Sequence, residues 1–200
     1  MAARTAAIGF SVHSGWAAMV VLGGTTAAPA LLDRARVALI DAHDAEAGQP
    51  YHAVEFLCVE EATGRLDAYL ATATRLAEAS IAAQAEKLKK LGIDLRSLGI
   101  LESSSRKHVA LASILASHAL IHAAEGDHFR NALSAAAEQL RLNVCRLQWR
   151  MLEEHAMKCL HLPIKRLHDT VDGLGRELGP PWGADQKKAA LLAWTLLQKR

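Results

Sequence analysis

The sequence predicts a single α/β domain, and three observations carry that prediction. Short runs rich in β-branched and apolar residues crowd the first 40 positions, residues 60–91 repeat their apolar side chains at three- and four-residue steps, and shorter strand-like and helix-like segments then alternate. A chain of 200 residues can bury a substantial core, and no Ser/Pro-rich linker or internal repeat divides it, so one domain over residues 1–200 is expected.

Residues 8–12 and 16–22 are two apolar runs separated by His13-Ser14-Gly15, which supplies turn chemistry; together they read as a β-hairpin. A Gly/Thr/Ala/Pro loop then leads into residues 30–40, where Leu31, Val37, Leu39 and Ile40 surround Asp33, Arg34 and Arg36, and a third strand paired with the second is predicted. Residues 41–52 carry Gly48, Pro50 and two histidines without a sustained period and read as a loop, either the rim of a site or a connection. Leu66, Tyr69, Leu70, Ala73, Leu76, Ala77, Ile81, Leu88 and Leu91 mark a helix over residues 60–91, with Gly92 as its stop.

Residues 95–101 form a predicted fourth strand, after which the serines at 103–105 cap a helix from about residue 106 to 124. A second helical stretch over residues 127–140 follows Gly126 with at most a kink. Cys145, Leu147 and Trp149 alternate with Arg146, Gln148 and Arg150, giving a fifth strand over residues 142–149 with one wet face. Helical segments at 152–160 and 164–174, a Gly-Pro-Pro-Trp-Gly turn at 179–183 and a last helix over 185–198 complete the chain. Asp185 lies near the positive end of that last helix, where a carboxylate is favoured.

Composition narrows the function classes. A net charge of +2 with a pI near 8.5 is too mild to imply a nucleic-acid partner by itself. Two basic groups, Lys87, Lys89 and Lys90 with Arg96, and Arg141 with Arg146 and Arg150, are not interleaved with aromatic residues and read as solvated faces. Cys58, Cys145 and Cys159 are scattered, without metal or redox spacing, and read as reduced thiols of a cytoplasmic protein. No stretch reaches the roughly 20 apolar residues of a membrane span. Arg4 and the apolar run 16–22 imitate a secretory signal, but His13, Ser14 and Gly15 interrupt it.

Three strands joined by short turns, then helix, strand, helix, strand, helix, is an order that resembles the ribonuclease-H-like fold of nucleases, resolvases and actin-like ATPases. The segment Ile8-Gly-Phe-Ser-Val-His-Ser-Gly-Trp-Ala-Ala-Met-Val-Val-Leu22 is similar to the Gly-(Ile/Leu)-Asp-x-Gly first hairpin of that superfamily, with Ser11 where its metal-binding Asp stands. The resemblance implies a three-stranded antiparallel meander, a mixed five-stranded sheet and helices on both faces. In nucleases of this kind several carboxylates hold Mg²⁺ or Mn²⁺ ions that brace the attacking and leaving oxygens of a phosphoryl transfer. Glu102, at the end of the fourth strand, Asp185 and Glu125 are the carboxylates of a rearranged set for that chemistry. The missing Asp implies instead a non-catalytic or divergent domain that binds nucleic acid or a protein at the open end of the sheet. Separately, residues 122–133 and 179–190 are similar to motifs of an uncharacterised group of bacterial proteins, a resemblance that implies no chemistry.

Several other residues admit a site and a plain structural reading side by side. His118 and His122 share a helical face and His128 follows, a spacing that imitates a zinc motif; Ala119 occupies the place of the catalytic Glu, which leaves a structural metal or simple packing. His122, Glu125, Asp127, His128 and Arg130 form either a ligand site or a hydrogen-bonded helix junction bent at Gly126 and anchored by Phe129. His13-Ser14-Gly15 either presents backbone N–H groups to a phosphate or only turns the hairpin. Trp182 is a cleft wall or a plug beneath the last helix. The Ala-rich 60–91 helix offers small residues to a symmetry mate, which would make the protein a structural oligomer.

Overall fold

The computed structural model describes residues 4–44, 46–103, 109–176 and 179–197. Three strands, β1 (Arg4–His13), β2 (Trp16–Gly24) and β3 (Pro29–Ala38), form the antiparallel meander, and β4 (Ile93–Glu102) and β5 (Asn143–Gln148) join it in the order β3-β2-β1-β4-β5. β4 runs parallel to β1, and β5 parallel to β4. Residues 6–11 of β1 and 17–23 of β2 are buried without alternation, the pattern of strands covered on both faces. Ser14 and Gly15 turn the hairpin, and the Gly15 carbonyl accepts a 2.9 Å bond from the Leu39 N–H, which ties the turn to the end of β3.

Among the described residues six helices surround the sheet: α1 (Val59–Lys90), α2 (Leu111–Leu115), α3 (His118–Gln139), α4 (Leu152–Leu160), α5 (Ile164–Leu174) and α6 (Ala184–Thr195). The two-residue period of β1 assigns the layers. Ala6, Ile8 and Phe10 pack with Ala73, Ala77 and Ile81 of α1 and Phe129, Leu133 and Ala136 of α3. Ala7 points the other way, into a core built from α4, α5 and α6. Gly9 and Gly99 permit α6 to lie directly on the sheet, since a Cβ at Gly9 would stand 2.0 Å from the Ala189 carbonyl oxygen and one at Gly99 2.6 Å from Leu192 Cγ.

At 1.5 Å per residue α1 is about 48 Å long, against about 33 Å for a ten-residue strand, so it overhangs the sheet. Its first turns carry a satellite core of Ala62, Leu66 and Val54, joined by Tyr51, Leu57, Leu111 and Leu115, which fastens the loop after β3 and helix α2. At the far end Gly92 (φ +67°) supplies the predicted stop, its N–H bonding the Lys89 carbonyl at 2.9 Å.

One helical expectation is corrected. The break falls at residues 116–117, not at Gly126, and α3 runs straight through Gly126. That glycine makes room for a side chain: a Cβ there would lie 2.6 Å from the Arg130 guanidinium. The caps proposed at Ser104 and Ser105, the helix start near 106 and the last helix's end at 198 lie outside the described residues. Among the described residues no helix is long and apolar enough to cross a membrane.

Candidate functional site

The carboxyl ends of the parallel strands β1, β4 and β5 share one edge of the sheet, and α6 begins there. In open α/β sheets this is the edge where ligands bind. Ser11 lies on the α6 side of β1, and its hydroxyl donates to Asp185 Oδ1 at 2.9 Å. His13, two residues on and therefore on the same face, brings Nε2 to 3.0 Å from Asp185 Oδ2, a charge contact without hydrogen-bond alignment. The His13 ring stacks on Trp16 at 4.3 Å with 8° between the planes, and the Arg36 guanidinium caps the other face of Trp16 at 3.6 Å. Asp185 thus meets a hydroxyl, an imidazole and the positive end of α6.

Glu102 faces the other way. It shares the Ile100 side of β4, toward α3, and pairs with Arg146 of β5, which also donates to Asn131 Oδ1 of α3 at 2.8 Å. Glu125 is buried in α3, accepting from His52. The structure therefore does not gather Glu102, Glu125 and Asp185 into one cluster, because strand parity and separate helices hold them apart. Mg²⁺ or Mn²⁺ requires several oxygen ligands at one point. A hydroxyl at position 11, an engaged Asp185 and a Glu102 neutralised by Arg146 do not fit a two-metal centre.

On the flank of Asp185 opens a cleft of about 420 Å³, lined by Trp149, Arg150, Leu152, Lys187, Lys188 and Leu191 among others. Trp149 is 46% exposed. Lys188 Nζ lies 5.1 Å and the Arg150 guanidinium 5.4 Å from the Trp149 ring centroid. The expectation that the group of Arg141, Arg146 and Arg150 lacks an interleaved aromatic is corrected at Arg150. The chain leaves β5 at Gln148 and makes a 3-10 turn over Trp149–Met151, which lays the indole beside the first turn of α6. An aromatic-basic pair at the end of a strand and two lysines at the fourth and fifth positions of the last helix were the sequence signals of this cleft.

His118 and His122 do meet, Nε2 to Nε2 at 3.0 Å, but His128 is not the third member. A six-residue step rotates His128 to another helical face, where burial pushes its pKa down to about 4 beside Tyr51. Burial, with the charge of Asp127 next in size, raises the Tyr51 pKa. The third imidazole near His118 and His122 is His52, from the loop after β3, and no local spacing in the sequence announces it. Arg130, buried, donates from Nε to the Leu101 carbonyl at 3.1 Å and from its NH1 nitrogen to Asp127 Oδ1 at 3.1 Å, bracing β4 against α3.

Two further candidates have structural partners. Trp182 sits on Gly175 and donates to the Val171 carbonyl at 3.0 Å, while Arg34 of β3 donates to the carbonyls of Pro180 and Pro181, so the turn is fastened across α5 and the meander. In the 13–15 turn Ser14 is exposed and Gly15 is buried against Ile40.

No protein-family model matches the chain, and no curated protein matches it. Among solved structures it is similar to RuvC of Thermus thermophilus, with a TM-score of 0.50 and 12% identity over 95% of this chain and 92% of that one. It is also similar to T. thermophilus RuvC in complex with Holliday junction substrate, with a TM-score of 0.48 and 14% identity over 96% and 91% of the two chains. With its strand order, its two helical layers and its likeness to RuvC, itself ribonuclease-H-like, the chain has the ribonuclease-H-like fold.

Proposed function

We propose that this chain is a catalytically divergent ribonuclease-H-like domain that binds nucleic acid across the carboxyl end of its sheet. The observation that carries the reading is the Ser11–Asp185 hydrogen bond, with the exposed Trp149 cleft directly beside it. Where a two-metal nuclease needs converging carboxylates, Asp185 meets the hydroxyl of Ser11 and the imidazole of His13. The neighbouring cleft offers groups that a phosphate backbone and an unstacked base use: the cations of Arg150 and Lys188 and the half-exposed indole of Trp149 beside them.

The test is fluorescence anisotropy with single-stranded, duplex and branched DNA and RNA at low and moderate salt, alongside a cleavage assay in Mg²⁺ and Mn²⁺. Salt-dependent binding is expected, with no cleavage. Trp149→Ala should weaken binding by roughly tenfold, since one stacked base contributes about 1–3 kcal/mol. Cleavage that disappears in Asp185→Asn would overturn the divergent part of the reading. Failure to bind any nucleic acid would overturn the partner and leave a protein ligand for the same edge.

A further inference from the structure

We infer that His52, His118 and His122 form a binding site for a divalent transition cation of the zinc class, with the buried Glu125 behind the imidazoles. The three rings come from two separate parts of the chain, the loop between β3 and α1 and the first turns of α3. One nitrogen from each lies within 4.8 Å of the others, and the ring centroids stand 4.4 to 5.2 Å apart. A tetrahedral zinc ion bound at about 2.0–2.1 Å sets its nitrogen ligands about 3.3 Å apart. The His118 and His122 Nε2 atoms, 3.0 Å apart, are close to that spacing.

Glu125 supplies the second, independent observation. Its side chain is only 2% exposed, and its charge partners among the described residues are His52, 2.7 Å from Oε1, and His122, 3.8 Å from Oε2. A carboxylate in that position takes the Nδ1 proton of His52 as a hydrogen bond, which fixes the tautomer and leaves the Nε2 lone pair free for a metal. The backbone N–H of His52 also reaches Oε1 at 3.4 Å, so the carboxylate orients the ligand residue through its main chain as well. A buried anion faced by imidazoles is costly unless positive charge lies close by, and a cation shared by the same imidazoles provides it. Imidazole nitrogens select zinc-class ions over the hard cations that prefer oxygen. His118 and His122 are exposed, leaving a solvent-facing position for water as the fourth ligand. The bound ion would cross-link the loop of residues 41–58 to α3, outside the Trp149 cleft.

The experiment is a titration of the full, chelator-stripped chain with Co²⁺, read by its visible absorption, followed by displacement with Zn²⁺ and by the thermal midpoint in Zn²⁺. One equivalent should bind, with an absorption band of a nitrogen-ligated site and a raised midpoint. Glu125→Gln should weaken binding by about 10- to 100-fold, and His118→Ala or His122→Ala, both at exposed positions, by more. His43→Ala, an exposed histidine in the same loop, should leave the affinity unchanged. Absence of a stoichiometric Co²⁺ band, or full affinity in folded His118→Ala and His122→Ala proteins, would overturn the site.

Discussion

Among single residues, His128 has the most consequential surroundings. Its Nε2 is buried without a hydrogen-bond partner, Tyr51 and Phe129 approach its ring edge-on, and Asp127 and Asn131 line the same small pocket. Burial is the main cause of a pKa lowered from 6.5 to about 4, which a backbone hydrogen bond at Tyr69 offsets only in part. The unfolded chain therefore takes up a proton near pH 6.5 that the folded chain refuses until about pH 4. The stability associated with neutral His128 is complete above 6.5 and is lost as pH falls through the window down to about 4. Between neutral pH and pH 4 the native chain should lose on the order of 3 kcal/mol more unfolding free energy than His128→Leu, measured by urea denaturation. Equal losses in the two proteins would remove His128 as the origin of that slope.

At the scale of elements, the contact of α6 with the sheet positions the candidate site. Gly9 and Gly99 form the floor on which α6 lies, and Asp185 is in its first turn. Gly9→Ala would drive a methyl group into the Ala189 carbonyl, where helix backbone, not a flexible side chain, must yield. The expected cost is about 3 kcal/mol or more in denaturant unfolding, and the displaced helix would carry Asp185 away from Ser11. An unchanged midpoint would mean that α6 shifts without cost.

The elements that could be read from the sequence were those whose pattern is local. The α1 period, the His13-Ser14-Gly15 turn, the strands and the Gly92 stop follow from residue spacing and backbone preference. Asp185 was read as a carboxylate that could approach the first hairpin, and it meets Ser11 there. Features set by packing at a distance were not legible. Gly126 reads as a bend but accommodates Arg130, Trp149 reads as a strand residue but turns out over α6, and His52 joins α3 through a fold-level contact that no helical spacing encodes. Glu102 has the right strand and the wrong face, a difference of one residue in parity.

Across the whole molecule Ser11, Trp149 and the loop that carries His52 lie at or just beyond the carboxyl ends of β1, β5 and β3, while short turns such as Lys90 to Ile93 join elements at the opposite end. The long α1 spends its inward alanines inside the chain: Ala73 and Ala77 pack with Ala132 and Ala136 of α3. These inward alanines are thus taken up by α3, while Ala68, Ala71, Ala79 and Ala83 stay exposed on the outer side of α1. Ala77→Leu should therefore lower the unfolding midpoint equally at all protein concentrations, by about 1–3 kcal/mol of overpacking. A concentration-dependent loss, followed by sedimentation, would return that face to an intermolecular role.

The Ser11–Asp185 bond joins positions 174 apart in the chain, and Trp194 reaches back 168 positions to donate to the Thr26 carbonyl at 2.8 Å. β1 is thus covered on one side by α6, which leaves the ribosome long after it. Until the helices of that layer emerge, Ala7, Val20 and Leu22 wait for the partners that bury them. Such long-range closure is slow and leaves an apolar sheet face open to association in the meantime. The proposed binding edge is assembled only once α6 has been made, so a truncated chain lacking α6 would offer a sticky sheet and no site.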